Sequence, residues 1–119
     1  MSMPAPVRKP LSLPVLHIML ALAEGARHGY AIKQEVEART NGAIRLGPST
    51  LYEAIQRLED NGLIKAVEEG DAPVNGQEAQ RRYYSLTTQG WRTLQDEVRQ
   101  LDTLVSAARA NPRLRKGLV

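Results

Sequence analysis

The chain of 119 residues contains no cysteine and no phenylalanine, and its aromatic side chains are four tyrosines and one tryptophan. Without cysteine, neither a disulfide framework nor a thiolate zinc site can be built, so a cytoplasmic protein held together by its core alone is expected. No apolar run approaches the roughly 20 residues that cross a bilayer, since the stretch from Val15 to Ala23 is far too short, and no membrane partner is expected. The two histidines, His17 and His28, have no acidic set at ligand spacing beside them. His17 is read as a satisfied core imidazole and His28 as an exposed turn residue. A glycine-rich phosphate loop, a nucleophile elbow and a Ser, His and acid set are all missing as well. Neither catalysis, a metal nor a cofactor is therefore expected. The opening MSMPAPVRKPLSLP is broken by proline and precedes no small-residue cleavage site, unlike a signal peptide.

What is present is one small domain's worth of chain with a mild basic excess. Sixteen Lys and Arg against 13 Asp and Glu leave a net charge of +3 and a pI of about 9.5, a bias toward polyanions. Residues 1–10, with three prolines, Arg8 and Lys9, read as a flexible arm. From Leu13 the apolar LPVLHIMLALAEG has Pro14 at a helix start and Gly25 past its end, and needs cover on nearly every side. HGYAIKQEVEARTNG gives a second helix with Tyr30, Ile32 and Val36 inward and Asn41-Gly42 as its stop. The third helix opens with Gly47 as N-cap and Pro48 at the first position. It buries Leu51, Ala54, Ile55 and Leu58 as one stripe and stops at Asn61-Gly62.

Leu63 to Glu69 then reads as a short strand, Gly70 to Ala79 as a loop rich in Gly, Pro, Asp and Asn, and Gln80 to Leu86 as the return strand. The last helix starts at Thr87 or Thr88 and ends before Asn111-Pro112. The order predicts a mainly α fold with a small β-hairpin, a winged helix-turn-helix over 11–87. A dimerisation helix follows over 88–110, with a flexible basic tail at 111–119.

The chemistry of this plan is recognition. Opposite the buried stripe of the third helix lie Ser49, Tyr52, Glu53, Gln56 and Asp60, flanked by Thr50 and Arg57. Gln can bond adenine bidentately, Arg can bond guanine, and the hydroxyls of Ser49, Thr50 and Tyr52 can reach phosphate. The bland reading of the same face is a solvated helix surface. Arg57 is the helix's only cation against Glu53, Glu59 and Asp60, so phosphate must be neutralised from elsewhere. Lys33 and Arg39 on the second helix, Arg45 before the third, Lys65, Arg81 and Arg82 on the wing, and Arg8 and Lys9 on the arm are the candidates. Arg81 and Arg82 are neighbours in a strand and point to opposite faces, so one is assigned to DNA, Arg81, and the other to an acid such as Glu68. The Tyr83-Tyr84 pair is expected to split between core and surface.

On the last helix Trp91, Leu94, Val98, Leu101, Val105 and Ala108 recur at intervals of three and four, a coiled-coil seam. At 1.5 Å per residue it is about 25 Å long, more than a wing domain can cover, which predicts a homodimer. An adaptor that binds protein through the same acidic helix remains the alternative to a DNA-binding regulator.

LPVLHIMLALAEGARHGYAIKQEVE, STLYEAIQRLEDNGLI and RRYYSLTTQGWRTL, in that order, resemble the PadR family of bacterial transcriptional regulators over about residues 11–110. The resemblance implies a winged helix-turn-helix dimer on double-stranded DNA, usually a repressor, that often releases DNA on binding a small-molecule effector. The length matches the branch with one C-terminal helix. Glu53 follows Tyr52 where the family commonly has Pro, and Ser49 stands where Gly is frequent, so no operator sequence carries over. Leu101 occupies the position at which some drug-binding relatives have Trp.

Overall fold

The computed structural model describes residues 10–67 and 82–118. The arm from Met1 to Lys9 and the loop at 70–79 therefore lie outside the described residues, as do Glu68, Glu69, Gln80 and Arg81. The first helix, α1, is Leu13–Ala23; the Ser12 side chain accepts from the Val15 N–H and Pro14 sits in the first turn. Strand β1, Arg27–His28, precedes α2, Gly29–Arg39, and α3 is Pro48–Asp60 behind an N-cap at Gly47. Strands β2, Ile64–Val67, and β3, Tyr83–Leu86, lead to α4, Thr88–Arg109.

The core forms where the helix stripes meet the sheet. Ile18, Met19, Leu22, Ile32, Val36, Leu51, Ile55, Leu58 and Ile64 are buried together with Tyr84, Leu86 and Leu94. Removing each large aliphatic side chain from water is worth about 1.5–3 kcal/mol. The stop of α3 follows the expected chemistry, with Gly62 at φ 75° and the Leu63 N–H returning to the Leu58 carbonyl, as in a glycine-terminated helix.

The sheet has three antiparallel strands in the order β1-β3-β2, one more than the predicted hairpin. Arg27 pairs with Tyr84, and Val67 with Tyr83. A two-residue strand is too short to show any alternation, which is why β1 escapes a reading by periodicity. The adjacent tyrosines do divide: Tyr84 is buried, while Tyr83 is half-buried with its ring edge-on to His28, centroids 5.5 Å apart.

Five local expectations change. Tyr30 faces solvent at 52 % exposure, because two residues before Ile32 is about 200° around a helix of 3.6 residues per turn. His28 is half-buried and caps α2, its Nδ1 accepting from the Ala31 N–H. The Nδ1 of His17 is buried with no hydrogen-bond partner among the described residues, so this imidazole is not the satisfied core group expected. Leu94, assigned to the dimer seam, is only 4 % exposed and belongs to the chain's own core. The first turns of α4 lie on α1 and β3, so their inward positions are already used. The basic tail, read as flexible, folds into α5, Pro112–Arg115, and a 3-10 turn at Lys116–Leu118. The Asn111 side chain accepts from the N–H groups of Arg113 and Leu114, supplying the cap that a short helix needs.

Candidate nucleic-acid interface

Burial of Leu51, Ile55 and Leu58 turns the opposite side of α3 outward, and Ser49, Thr50, Tyr52, Glu53, Gln56, Arg57 and Asp60 are all exposed. These side chains are not equally available. The Gln56 Nε2 donates to Asp60 Oδ1 at 3.0 Å, an i,i+4 bond that uses one of the two amide hydrogens and leaves the other and the carbonyl oxygen for a base edge. Arg57 makes no ion pair or side-chain hydrogen bond among the described residues. Tyr52 is 53 % exposed, yet its phenol lies against the backbone of Gly29 at the start of α2.

The surrounding cations divide into two groups. Those on α2 are engaged: Lys33 pairs with Glu37 at 3.3 Å and stands 5.8 Å from the Tyr30 ring centroid. Arg39 bridges Glu24 at 3.1 Å and Glu35 at 3.0 Å. The hydrogen bond to Glu35 raises the Arg39 pKa above its ordinary value, against an opposing effect of burial, with Glu24 and Glu35 adding attraction. Arg27 donates through Nε to the Ala21 carbonyl and pairs with Glu24. Together these bonds tie the end of α1 to β1 and to the C-terminal end of α2, a structural task that engages Arg39 away from phosphate.

Arg45, Lys65 and Arg82, by contrast, are exposed and, like Arg57, make no ion pair or side-chain hydrogen bond among the described residues. Arg82, expected to pair with an acid such as Glu68, precedes β3 and is exposed, while Glu68 lies outside the described residues. Its assigned DNA-facing neighbour Arg81 lies outside the described residues.

The anchoring of α4 to this region is direct. Thr87 Oγ1 donates to the Gly62 carbonyl at 2.6 Å and accepts from the Gly90 N–H at 2.9 Å. The Thr87 N–H donates to the Leu63 carbonyl at 3.1 Å. Thus the turn that ends α3 and begins β2 is bolted to the first turn of α4. Beyond Glu97 every residue of α4 is exposed except the half-buried Ala108. Val98, Leu101, Leu104 and Val105 form an uncovered apolar surface there, and Trp91 is exposed nearer the body. Among the described residues there is no cluster that could hold a metal ion, and no helix is long and apolar enough to cross a membrane.

This arrangement can be set beside known proteins. Residues 15–96 match the model of the "Transcriptional regulator PadR-like family". Uncharacterized protein X of Lysinibacillus sphaericus is 36 % identical over 83 residues, which are 70 % of this chain and 72 % of that protein. Among solved structures, the Clostridium thermocellum transcriptional regulator Cth-833 is similar with a TM-score of 0.65 and 25 % identity, over 83 % of this chain and 89 % of its own. A PadR family transcription regulator from Clostridium difficile R20291 has the same fold, with a TM-score of 0.67 and 23 % identity over 83 % of this chain and 97 % of its own. The fold is thus a winged helix-turn-helix, its members are regulators rather than enzymes, and this chain belongs to the PadR-like family of transcriptional regulators.

Proposed function

We propose that the protein is a homodimeric, sequence-specific DNA-binding repressor of the cytoplasm. The observation that carries this reading is the outward face of α3 together with exposed cations that pair with no acid among the described residues, Arg57, Arg45, Lys65 and Arg82. In this reading Ser49, Thr50, Gln56 and Arg57 meet the DNA from α3, with Gln56 and Arg57 reading base edges. Arg45, Lys65 and Arg81 neutralise phosphate, while Lys33 contributes less because Glu37 shares its charge. The second copy doubles these contacts. Trp91, Val98, Leu101, Val105 and Ala108 supply the dimer surface together with the outer side of α1, where Leu13 is exposed. Two α3 helices related by a two-fold axis address half-sites about one helical turn apart. A small molecule seated between α1 and α4 of the two copies would release the DNA.

Band-shift titration against a duplex selected from a random pool, beside an unrelated duplex, tests the reading. Gln56→Ala and Arg57→Ala should weaken binding to the selected duplex more than to the unrelated one. Equal losses on both would mean that α3 does not read bases. The acidic residues of α3 favour the other reading, a protein-binding adaptor, which predicts no selected duplex and no steep fall of affinity with salt.

A further inference from the structure

Tyr52 sits on the outer face of α3 but does not behave as a freely projecting side chain. A methyl carbon placed on Gly29 would lie 3.1 Å from Tyr52 Oη, 3.2 Å from Cε1 and 3.3 Å from Cζ. Each of these is tighter than ordinary van der Waals contact, so a side chain at this position would push the ring of Tyr52 by a few tenths of an ångström from where it lies. Gly29 is buried as the first residue of α2, and its backbone is not in the left-handed region. Its glycine therefore matters through space and not through φ. Tyr84, in β3, has its pKa raised chiefly by burial, with Glu59 and Tyr52 raising it further and Arg82 lowering it.

We infer that Tyr52 is a positioning residue, a wedge seated on Gly29 that sets the angle of the recognition helix α3 against α2. This inference rests on the DNA-binding reading for its consequence, since the angle of α3 decides how Ser49, Gln56 and Arg57 enter a groove. The contact involves the ring as much as the hydroxyl. In a helix the ring has two common χ1 rotamers, and leaving the present one would uncover the buried Gly29 backbone. A direct phosphate contact through Oη makes the opposite demand, because it needs the hydroxyl and is indifferent to what stands at Gly29.

The experiment is a double-mutant cycle in the full chain, using a duplex that the wild-type protein enriches from a random-sequence pool, with melting curves recorded for every variant. Tyr52→Phe should bind within about twofold of wild type, while Tyr52→Ala and Gly29→Ala should each lose on the order of tenfold. The double variant should bind no worse than Tyr52→Ala alone, because the added methyl then meets no ring. Three results each overturn the inference: Tyr52→Phe losing as much as Tyr52→Ala, Gly29→Ala binding as wild type, or the two alanine losses adding in the double variant. If the wild-type protein enriches no duplex, the proposed function falls. The wedge is then judged by the melting curves, where additive losses overturn it and coupled losses support it.

Discussion

Replacing Gly90 with alanine tests how α4 is joined to the DNA-binding body. A Cβ on Gly90 would run into the carbonyl of Leu63. That carbonyl already accepts from the Thr87 N–H at 3.1 Å. Because the obstacle is backbone, no rotamer change relieves it; the turn must move or α4 must lift. Overpacking of this kind costs about 1–3 kcal/mol, and losing the Thr87 bond adds about 0.5–1.5 kcal/mol. Alanine returns up to about 1 kcal/mol of helix propensity, leaving a net loss of about 0.5–3.5 kcal/mol. At a central value near 2 kcal/mol, a chain of this size should melt about 8 °C lower. Gly117→Ala is the control, because nothing lies within 4 Å of a Cβ there. Thermal melting followed by circular dichroism gives the answer. A Gly90→Ala protein that melts at or above the wild-type temperature refutes the reasoning, since propensity would then outweigh the contact. Thr87→Ala removes the cap and the bond to Gly62, and shares the same turn, so its loss should combine non-additively with that of Gly90→Ala.

Other expectations follow from neighbouring features. Leu94→Ala should cost about 2–4 kcal/mol in chemical denaturation, because Leu94 is spent on the core. Val105→Ser should leave monomer stability within about 0.5 kcal/mol and lower the associated mass in sedimentation; no change in mass would remove Val105 from the proposed interface. Tyr84→Phe should flatten the alkaline limb of the stability curve. Tyr84's raised folded pKa means that the folded phenol holds its proton while the unfolded one, near 10, releases it. Stability is therefore present below about pH 10 and falls as pH rises toward the folded value. Identical alkaline limbs in pH-dependent denaturation would contradict this. Lys65→Ala and Arg45→Ala should each reduce the slope of log affinity against log salt by roughly one while weakening all duplexes alike; an unchanged slope would exclude a phosphate contact.

The places where sequence and structure part company share a physical cause. Periodicity locates α3 and its outward face because Leu51, Ile55 and Leu58 recur at helical spacing, and Gly62 marks the stop. The same logic cannot divide a seam between two uses. Leu94 and Val98 both fit the heptad, yet Leu94 lies where α4 rests on α1 and β3 and Val98 lies where it has left them. Nor can spacing tell which cations are occupied. Arg39 pairs with Glu35 one turn away and also with Glu24, a second partner set by how the end of α1 approaches α2, whereas Arg45 and Lys65 meet no such acid among the described residues.

The amino-acid order alone determined the helix-turn-helix and wing, the acidic character of α3 and the outward set Ser49, Thr50, Tyr52, Gln56 and Arg57. Those features depend on local spacing, caps and composition. Only the tertiary structure decided that Leu94 is core, that Arg39 reaches Glu24 and that β1 completes the sheet. It also decided that the ring of Tyr52 rests on Gly29, since each of these is a contact between segments far apart in the chain, where no local pattern carries information.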